Sequence, residues 1–430
     1  MSRTRIVVTL GPATGSEDSI RALLDAGADV FRLNFAHGTR DDHARLIESI
    51  RRIAADRPAA IVQDLAGPKL RLDHPVRGKA GDVVALALPP TVRAGDPVLL
   101  ADGAMLLEVV DPTRSRVIAG GDIPAGKGIN LPSSRLDLPA LTEKDRDDLR
   151  FGVAHGVDFV ALSFVRRAAD LEEVKASGVP VVAKIEKAEA VEHIEEIVAA
   201  ADGVMVARGD LGVEIPIERV PIVQKELIAL ANRAAKPVIT ATQMLRSMVA
   251  SPLPTRAEAT DVANAVLDGT DAVMLSEETA VGRFPLDAVR VMHRILVEAE
   301  RALPPRGGEA GDVPGMIADA ACRMAERVGA KAIVVPTRTG ATARRVARHR
   351  PPMPIVALAP DEAVRRRLSL VWGITAVTVP WFRDTDALLA GFRVPVRETG
   401  LVSDGARVVV TGGWPFAEGA ATNLVHVATL

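Results

Sequence analysis

Tyrosine is absent from the 430 residues, cysteine occurs once, and aromatic side chains make up only 3%. A lone cysteine, Cys322, excludes any disulfide within the chain and favours a reducing compartment, so a cytoplasmic location is expected. No apolar run reaches the roughly 18 residues of a membrane span. The apolar stretch in MSRTRIVVTLGP is too short for a secretory signal, so no membrane association is expected. Charge of one sign is also missing: the formal net charge of −2 offers no general attraction to nucleic acid or anionic lipid. The scarcity of aromatics beside abundant alanine and arginine reads as genomic composition bias. Apolar residues are present in quantity, at 48%, and the length suggests two to three domains.

The first three hundred residues alternate short β-branched runs with helical patterns. Strands are expected at 6–10, 30–35, 60–64, 159–164, 181–186, 204–207, 237–242 and 272–276. Helices are expected between them, at 16–26, 40–55, 142–155, 168–175, 189–200, 220–234, 255–267 and 285–302. Thr142 with Asp145 fits a Ser/Thr-x-x-acid helix start. Eight βα units with almost continuously apolar strands favour a TIM (β/α)8 barrel over an open sheet. The barrel spans residues 1–72 and 140–303. Between its two parts, residues 73–139 carry alternating apolar runs broken by Gly and Pro, as expected of a small β-barrel module forming a lid over the barrel mouth. A Pro- and Gly-rich linker is expected at 304–315, then a doubly wound α/β domain at 316–430. The chain shows no internal repeat.

The fifth strand ends in AKIE, which places Lys184 and Glu186 on one face at i and i+2. They are either a structural ion pair or part of a site, since barrel active sites lie at the C-terminal ends of the strands. The sixth strand ends in ARGDLGVEIP, so Gly209 and Asp210 stand where a short helix begins, and their amides suit a carboxylate or phosphate; a plain turn with a capping Asp reads equally well. Glu186 and Asp210 together offer a hard divalent cation its two carboxylates, with no His or Cys cluster to favour a softer metal. Thr240 and Thr242 end the seventh strand, and Arg32 and Asn34 the second. Residues 64–71, DLAGPKLR, close the third strand with Asp64 and Arg71 and place Lys69 between them. Arg32, Arg71 and Lys184 converging with metal suit a highly anionic substrate such as a phosphorylated acid.

These residues sit in segments that resemble pyruvate kinase from about residue 4 to the C-terminus. The carrying segments are TRIVVTLGPAT, FRLNFAHG, AKIEKAEAV, GVMVARGDLGVEIP, KPVITATQMLRSM, PTRAEATDVANAVLDGTDAVML and AKAIVVPTRTGATAR. The resemblance implies phosphoryl transfer from phosphoenolpyruvate to ADP, giving pyruvate and ATP in the last step of glycolysis. It implies that Arg32 and Lys184 neutralise the phosphoryl group, and that Lys184 also stabilises the enolate. Glu186 and Asp210 would hold Mg2+, with Mn2+ as a substitute. The Gly209 and Asp210 amides would bind the substrate carboxylate, and Thr242 would line the proton path. A second Mg2+ would arrive with the nucleotide, near Asn34, His37, Arg71 and Asp102; His37 otherwise reads as structural. A homotetramer is implied as well.

Several positions depart from the family pattern. Ala36 stands where serine is usual, and Leu65, Lys69 and Leu72 replace residues of the potassium-requiring members. Lys69, near Asn34, Asp64 and Leu65, would supply covalently the charge of a K+ ion, so K+ is not expected to be required. Arg246 stands in place of a common acid, and Glu277 in place of glycine. The insert is shorter than in most members by about thirty residues. In the last domain, Thr337-Arg338-Thr339-Gly340-Ala341-Thr342 joins a strand to a helix, and the resemblance implies a sugar-phosphate or nucleotide effector there. The alternatives are another barrel enzyme handling phosphoenolpyruvate or pyruvate, and a metabolite sensor without activity.

Overall fold

Eight short strands, buried along almost their whole length, close into a parallel barrel in the computed structural model, which describes residues 2–101, 103–132, 139–303, 311–415 and 421–430. They are β1 (Arg5–Thr9), β2 (Val30–Asn34), β3 (Ala60–Asp64), β4 (Phe159–Leu162), β5 (Val181–Ile185), β6 (Gly203–Ala207), β7 (Val238–Ala241) and β8 (Ala272–Leu275). Each pairs with its neighbours in chain order, and β8 closes on β1 with Val7 opposite Met274. Complete burial of β3, β5 and β6 explains why their sequences are apolar in runs instead of alternating, with Gln63, Asp64 and Lys184 the polar exceptions toward the strand ends.

The expected helices form with shifted ends. Thr142 and Asp145 cap each other: the Thr142 amide donates to Asp145 Oδ2 at 3.0 Å, and the Asp145 amide to Thr142 Oγ1 at 3.1 Å. The expected helix at 189–200 is two helices, Ala188–Glu192 and Ile194–Ala200, meeting at His193. That segment has no Pro or Gly to announce the break.

A recurrence invisible as a sequence period appears at the N-terminal ends of the strands. Asp29, Asp158, Asp202 and Asp271, immediately ahead of β2, β4, β6 and β8, each accept an amide from the first two residues of the preceding strand, from Ile6, Ile61, Val181 and Val238, at 2.8–3.1 Å. Each carboxylate satisfies an amide that would otherwise be orphaned where the ladder begins. The motif is Gly-x-Asp at 27–29, 156–158 and 269–271, and Ala-Ala-Asp at 200–202.

By contacts the chain forms two compact units: residues up to Gln63 with His155–Phe159 and Ile228–Leu430, and Asp64–Ala154 with Val160–Leu227. The second unit contains the insert. Its main sheet is antiparallel, in the order Ile129–Asn130, Pro97–Leu100, Met105–Asp111, Arg114–Ala119, Val83–Ala85, and Val76–Gly78 pairs separately with Gly121–Ile123. Val98, Leu100, Met105 and Leu107 fill its own small core.

The first unit contains the C-terminal sheet, β9 (Ala332–Pro336), β10 (Ile355–Ala359), β11 (Ile374–Thr378), β12 (Arg407–Gly413) and β13 (Thr422–Thr429), in the order β11-β10-β9-β12-β13. Only β13 is antiparallel. Ile333 and Val335 face one core, Ala332 and Val334 another, as a doubly wound sheet requires. Residues 304–310 of the expected linker lie outside the described residues, and a helix already begins at Val313, capped by Asp312. Arginines join this domain to the capping aspartates of the barrel: Arg350 Nη1 donates to Asp271 Oδ1 at 2.9 Å, and Arg366 Nε to Asp158 Oδ1 at 2.9 Å. Among the described residues no helix is long and apolar enough to cross a membrane.

Candidate active site

In the second unit, three strand ends deliver polar side chains to one point. Lys184 and Glu186 share a face of β5 and its continuation, and their charges meet at 2.9 Å between Nζ and Oε1. The same ammonium donates to Asp64 Oδ1, at the end of β3, at 3.1 Å, and to Ser163 Oγ, just past β4, at 2.7 Å. Ser163 in turn donates to the carbonyl of Leu65 at 2.8 Å. Three oxygens around one ammonium match its three N–H donors. Lys184, Glu186 and Asp64 are all buried, so the charges are held in a low-dielectric setting that strengthens their attraction.

Glu186 is fixed from its other side as well. The Phe164 amide donates to its Oε2 at 2.9 Å, and Phe164 adopts φ +57°, a left-handed conformation that is strained for a bulky residue. Burial pushes the Glu186 carboxyl pKa up, the Lys184 ammonium pulls it down, and the nearby Asp210 carboxylate pushes it up again. Two carboxylates that repel each other are a natural seat for a cation.

Asp210 lies in the first turn of a seven-residue helix, α1 (Arg208–Glu214), that starts as β6 ends. Gly209 precedes it in the same turn. The Lys69 ammonium donates to Asp210 Oδ1 at 2.9 Å. Lys69 reaches it by passing Gly128, where an added Cβ would lie 2.6 Å from Lys69 Cε. Leu65 is buried behind this turn, with its amide on the Ala161 carbonyl at 3.0 Å. Arg71 lies where the insert begins: it bridges to Gly128 and donates to the Gly126 carbonyl at 2.9 Å. Asp102 falls outside the described residues.

In the first unit, Arg32 on β2 donates to Thr9 Oγ1 at 3.1 Å. Asn34 ends that strand with its side-chain oxygen accepting the Ala36 amide at 3.1 Å. His37 is exposed, its carbonyl accepting His43 Nε2 at 2.9 Å. Thr242, just past β7, has φ +71° and is followed by Gln243 at φ +56°. A β-branched residue in that region is an outlier of the kind that clusters at functional sites. Thr240, by contrast, is buried with its hydroxyl on Thr270 Oγ1 at 3.0 Å, as polar filler. Arg246 and Glu277, two departures with no explanation in the sequence alone, pair with each other at 2.8 Å.

The C-terminal loop is ordered by its own residues. Gly340, at φ +83°, donates to Thr337 Oγ1 at 3.0 Å and caps the helix α2 (Ala341–Ala347). The Arg344 side chain donates to the Thr339 carbonyl at 3.2 Å, Thr342 shares a hydrogen bond with Thr422 at 2.7 Å, and the Arg338 guanidinium lies 4.9 Å above the Trp381 ring.

Sequence reasoning singled out Lys184, Glu186 and Asp210 but not Ser163 and Phe164, whose contacts with them depend on a hydroxyl and a backbone amide that no spacing announces. Among the described residues, no three His, Cys, Asp or Glu side chains are grouped to hold a metal. Two carboxylates fit Mg2+, which keeps waters and takes substrate oxygens for its remaining positions.

Two family models account for most of the chain: "Pyruvate kinase, barrel domain" matches residues 1–88 and 83–289, and "Pyruvate kinase, alpha/beta domain" matches 315–428. Similar curated proteins include pyruvate kinase 2 of Synechocystis sp., 45% identical over 465 aligned positions that cover 99% of this chain and 79% of that one. The pyruvate kinase of Mycobacterium tuberculosis is 44% identical over 462 positions, covering 99% and 98%. That of Geobacillus stearothermophilus is 42% identical over 468 positions, covering 99% and 80%. Each alignment is longer than the chain's 430 residues, so each relative carries residues that this chain lacks. With both domain models matched in order and relatives of this identity along almost its whole length, the chain belongs to the pyruvate kinase family.

Proposed function

We propose that the chain transfers the phosphoryl group of phosphoenolpyruvate to ADP through Lys184, Arg32, Glu186 and Asp210. The observation that carries this reading is the Lys184 ammonium, buried and aimed by Asp64, Ser163 and Glu186. Phosphoryl transfer asks a protein for positioning and charge stabilisation more than for covalent chemistry. A lysine fixed by three oxygens has its orientation settled before substrate arrives.

In this reading the bond from the enol oxygen to phosphorus breaks as a β-phosphate oxygen of ADP bonds to the same phosphorus. Arg32 and Lys184 stabilise the charge on the transferring group, and Lys184 stays with the enolate oxygen left behind. The enolate then takes a proton at its terminal carbon by a path lined by Thr242. Glu186 and Asp210 would hold Mg2+, the ion the family generally uses, which would supply charge neutralisation for the anionic substrate. The Gly209 and Asp210 amides receive the substrate carboxylate. Asn34, His37, Arg71 and Asp102 serve the nucleotide. Lys69 replaces a K+ ion, so activity does not require K+.

The wider proposal makes residues 73–139 a lid, residues 316–430 a regulatory domain whose 337–342 loop takes a phosphorylated effector, and the assembly a cytoplasmic homotetramer. A coupled assay with phosphoenolpyruvate, ADP and Mg2+ tests the core of it. ADP-dependent pyruvate formation is expected, lost by about 100-fold or more in Lys184→Met. Pyruvate formed without ADP would point to a different barrel enzyme, and retained phosphoenolpyruvate binding without turnover to a sensor.

A further inference from the structure

At the base of the insert, residues 70–72, where the chain enters it, pair with residues 127–130 within it, and these two segments are its root strands. Leu72 donates to the Lys127 carbonyl at 2.8 Å, and Ile129 to that of Leu70 at 2.9 Å. Each root strand also reaches α1. From the outgoing side, Lys69 donates to Asp210 Oδ1 at 2.9 Å. From the returning side, Asn130 Nδ2 donates to Glu214 Oε1 at 3.3 Å. Asp210 and Glu214 are four residues apart, hence on one face of the helix, one turn above the other.

The second contact has an unusual composition. Glu214 and Asn130 are buried, and Glu214 Oε1 also takes the Lys187 ammonium at 2.7 Å. Lys187 lies 5.8 Å over the Phe164 ring, the residue whose amide fixes Glu186. Asn130 Oδ1 is buried without a hydrogen-bond partner, which costs stability where an apolar residue would not. A buried amide that is poor for stability and bonded to the helix carrying Asp210 is a candidate for a positional role.

We propose that the two root strands and α1 move as one body, so that nucleotide binding beside the insert and ligand binding at Gly209–Asp210 are thermodynamically coupled, with Asn130 and Glu214 as positioning residues. The proposal rests on the reading that Asp210 holds the metal and that the insert faces the nucleotide. Coupling is reciprocal: whatever ADP does to phosphoenolpyruvate affinity, phosphoenolpyruvate does to that of ADP. Lys69 alone ties one carboxylate to one strand. The Asn130 contact adds the second point that resists rotation of the helix about the first.

Hydrogen–deuterium exchange on the full chain, with ADP and Mg2+ but no phosphoenolpyruvate, reads the coupling directly. In the wild type, exchange at 208–214 is expected to slow about fivefold or more, along with 70–72 and 127–130. In Asn130→Ala the root strands still respond, while 208–214 responds less than half as strongly; combining it with Lys69→Met abolishes the response. Asn130→Leu, which keeps the bulk, should behave like Asn130→Ala and guards against a loss of packing. In steady state, the dependence of the phosphoenolpyruvate KM on ADP flattens in the Asn130 variants while kcat stays within about twofold of wild type, whereas a merely structural role lowers kcat and Tm and leaves that dependence intact. The proposal is overturned if 208–214 ignores nucleotide in the wild type, or responds fully in Asn130→Ala. A wild type without turnover would sink the activity assignment, and the exchange response would still decide the coupling.

Discussion

The ammonium of Lys69 lies 2.9 Å from Oδ1 of Asp210, so the lysine expected to stand in for K+ is bonded to a proposed Mg2+ ligand. One fixed positive charge at this point lowers the repulsion between Asp210 and Glu186 without consuming both Asp210 oxygens. Turnover with and without K+ in the assay is expected to be equal. Lys69→Glu would place a third carboxylate here and should cut potassium-free activity about 100-fold, the scale of losing one electrostatic stabiliser. A large stimulation of the wild type by K+ would end the lysine-for-potassium idea.

Gly67 belongs to the same turn and has φ +67°, a conformation that favours glycine. An added Cβ would lie 2.7 Å from Phe164 Cδ2 and 3.0 Å from Ser163 Cβ, the two residues that aim Lys184 and Glu186. The Gly67 amide is also held by Asp145 Oδ1 at 3.2 Å, so the turn cannot retreat freely. Gly67→Ala should therefore cost about 10- to 100-fold in kcat, as small misplacements of catalytic groups do. Kinetics of that variant at saturating substrate would show it, and wild-type kcat would refute the positioning argument.

These contacts mark where the sequence was readable. β-branched runs placed all eight barrel strands, because fully buried parallel strands must be apolar. Period-two spacing placed Lys184 beside Glu186, and residue chemistry placed Asp210 with them. Ser163, the strained Phe164 and the Asn130–Glu214 bond were hidden, since each joins residues from separate elements and depends on backbone geometry. Arg246 and Glu277 were visible only as two oddities; three-dimensional proximity makes them one exposed ion pair, worth at most about 1 kcal/mol. The split at His193 was hidden because no Pro or Gly marks it.

Cys322 is buried against the C-terminal core, and burial pushes its thiol up to about 12. The reactive species is the thiolate, so the native protein should not react with an aromatic disulfide reagent at neutral pH. One thiol per chain should react once guanidinium has unfolded it. Rapid reaction before unfolding would show that the domain opens around Cys322.

Glu258 caps the helix Arg256–Asp268, accepting the Thr255 amide at 2.7 Å, and also holds the loop after Thr242 through the Ser247 amide at 2.6 Å. Burial alone would raise its pKa; the bonds from Ser247 and Thr255 outweigh it and hold the carboxyl below its ordinary 4.5. A depressed carboxylate adds stability above its unfolded pKa and loses it as pH falls through the folded one. Glu258→Gln should cost about 1 kcal/mol at neutral pH, a typical cap contribution, and the gap to wild type should close at acid pH below 4.5. Denaturant melts across that range would show whether the difference follows pH in this sense.

Arg350 is the residue on which the joint between barrel and C-terminal domain turns. Its side chain is fully buried, donates to Asp271 Oδ1 at 2.9 Å, Asn232 Oδ1 at 3.1 Å and the Gly269 carbonyl at 2.7 Å, and stacks 5.0 Å from the Trp372 ring. Asp271 also takes the amides of Val238 and Trp372, at 3.1 and 3.2 Å, so one carboxylate serves β7, the C-terminal domain and the arginine. Removing the arginine leaves that carboxylate buried without its charge partner, a loss of about 3–5 kcal/mol. Arg350→Met keeps most of the volume and should lower Tm by several degrees, with Trp372 fluorescence shifting early in the melt. Arg350→Met combined with Asp271→Asn should recover part of the loss, because the isolated charge is then gone. A single variant as stable as wild type would show that the joint rests on its other arginine contacts.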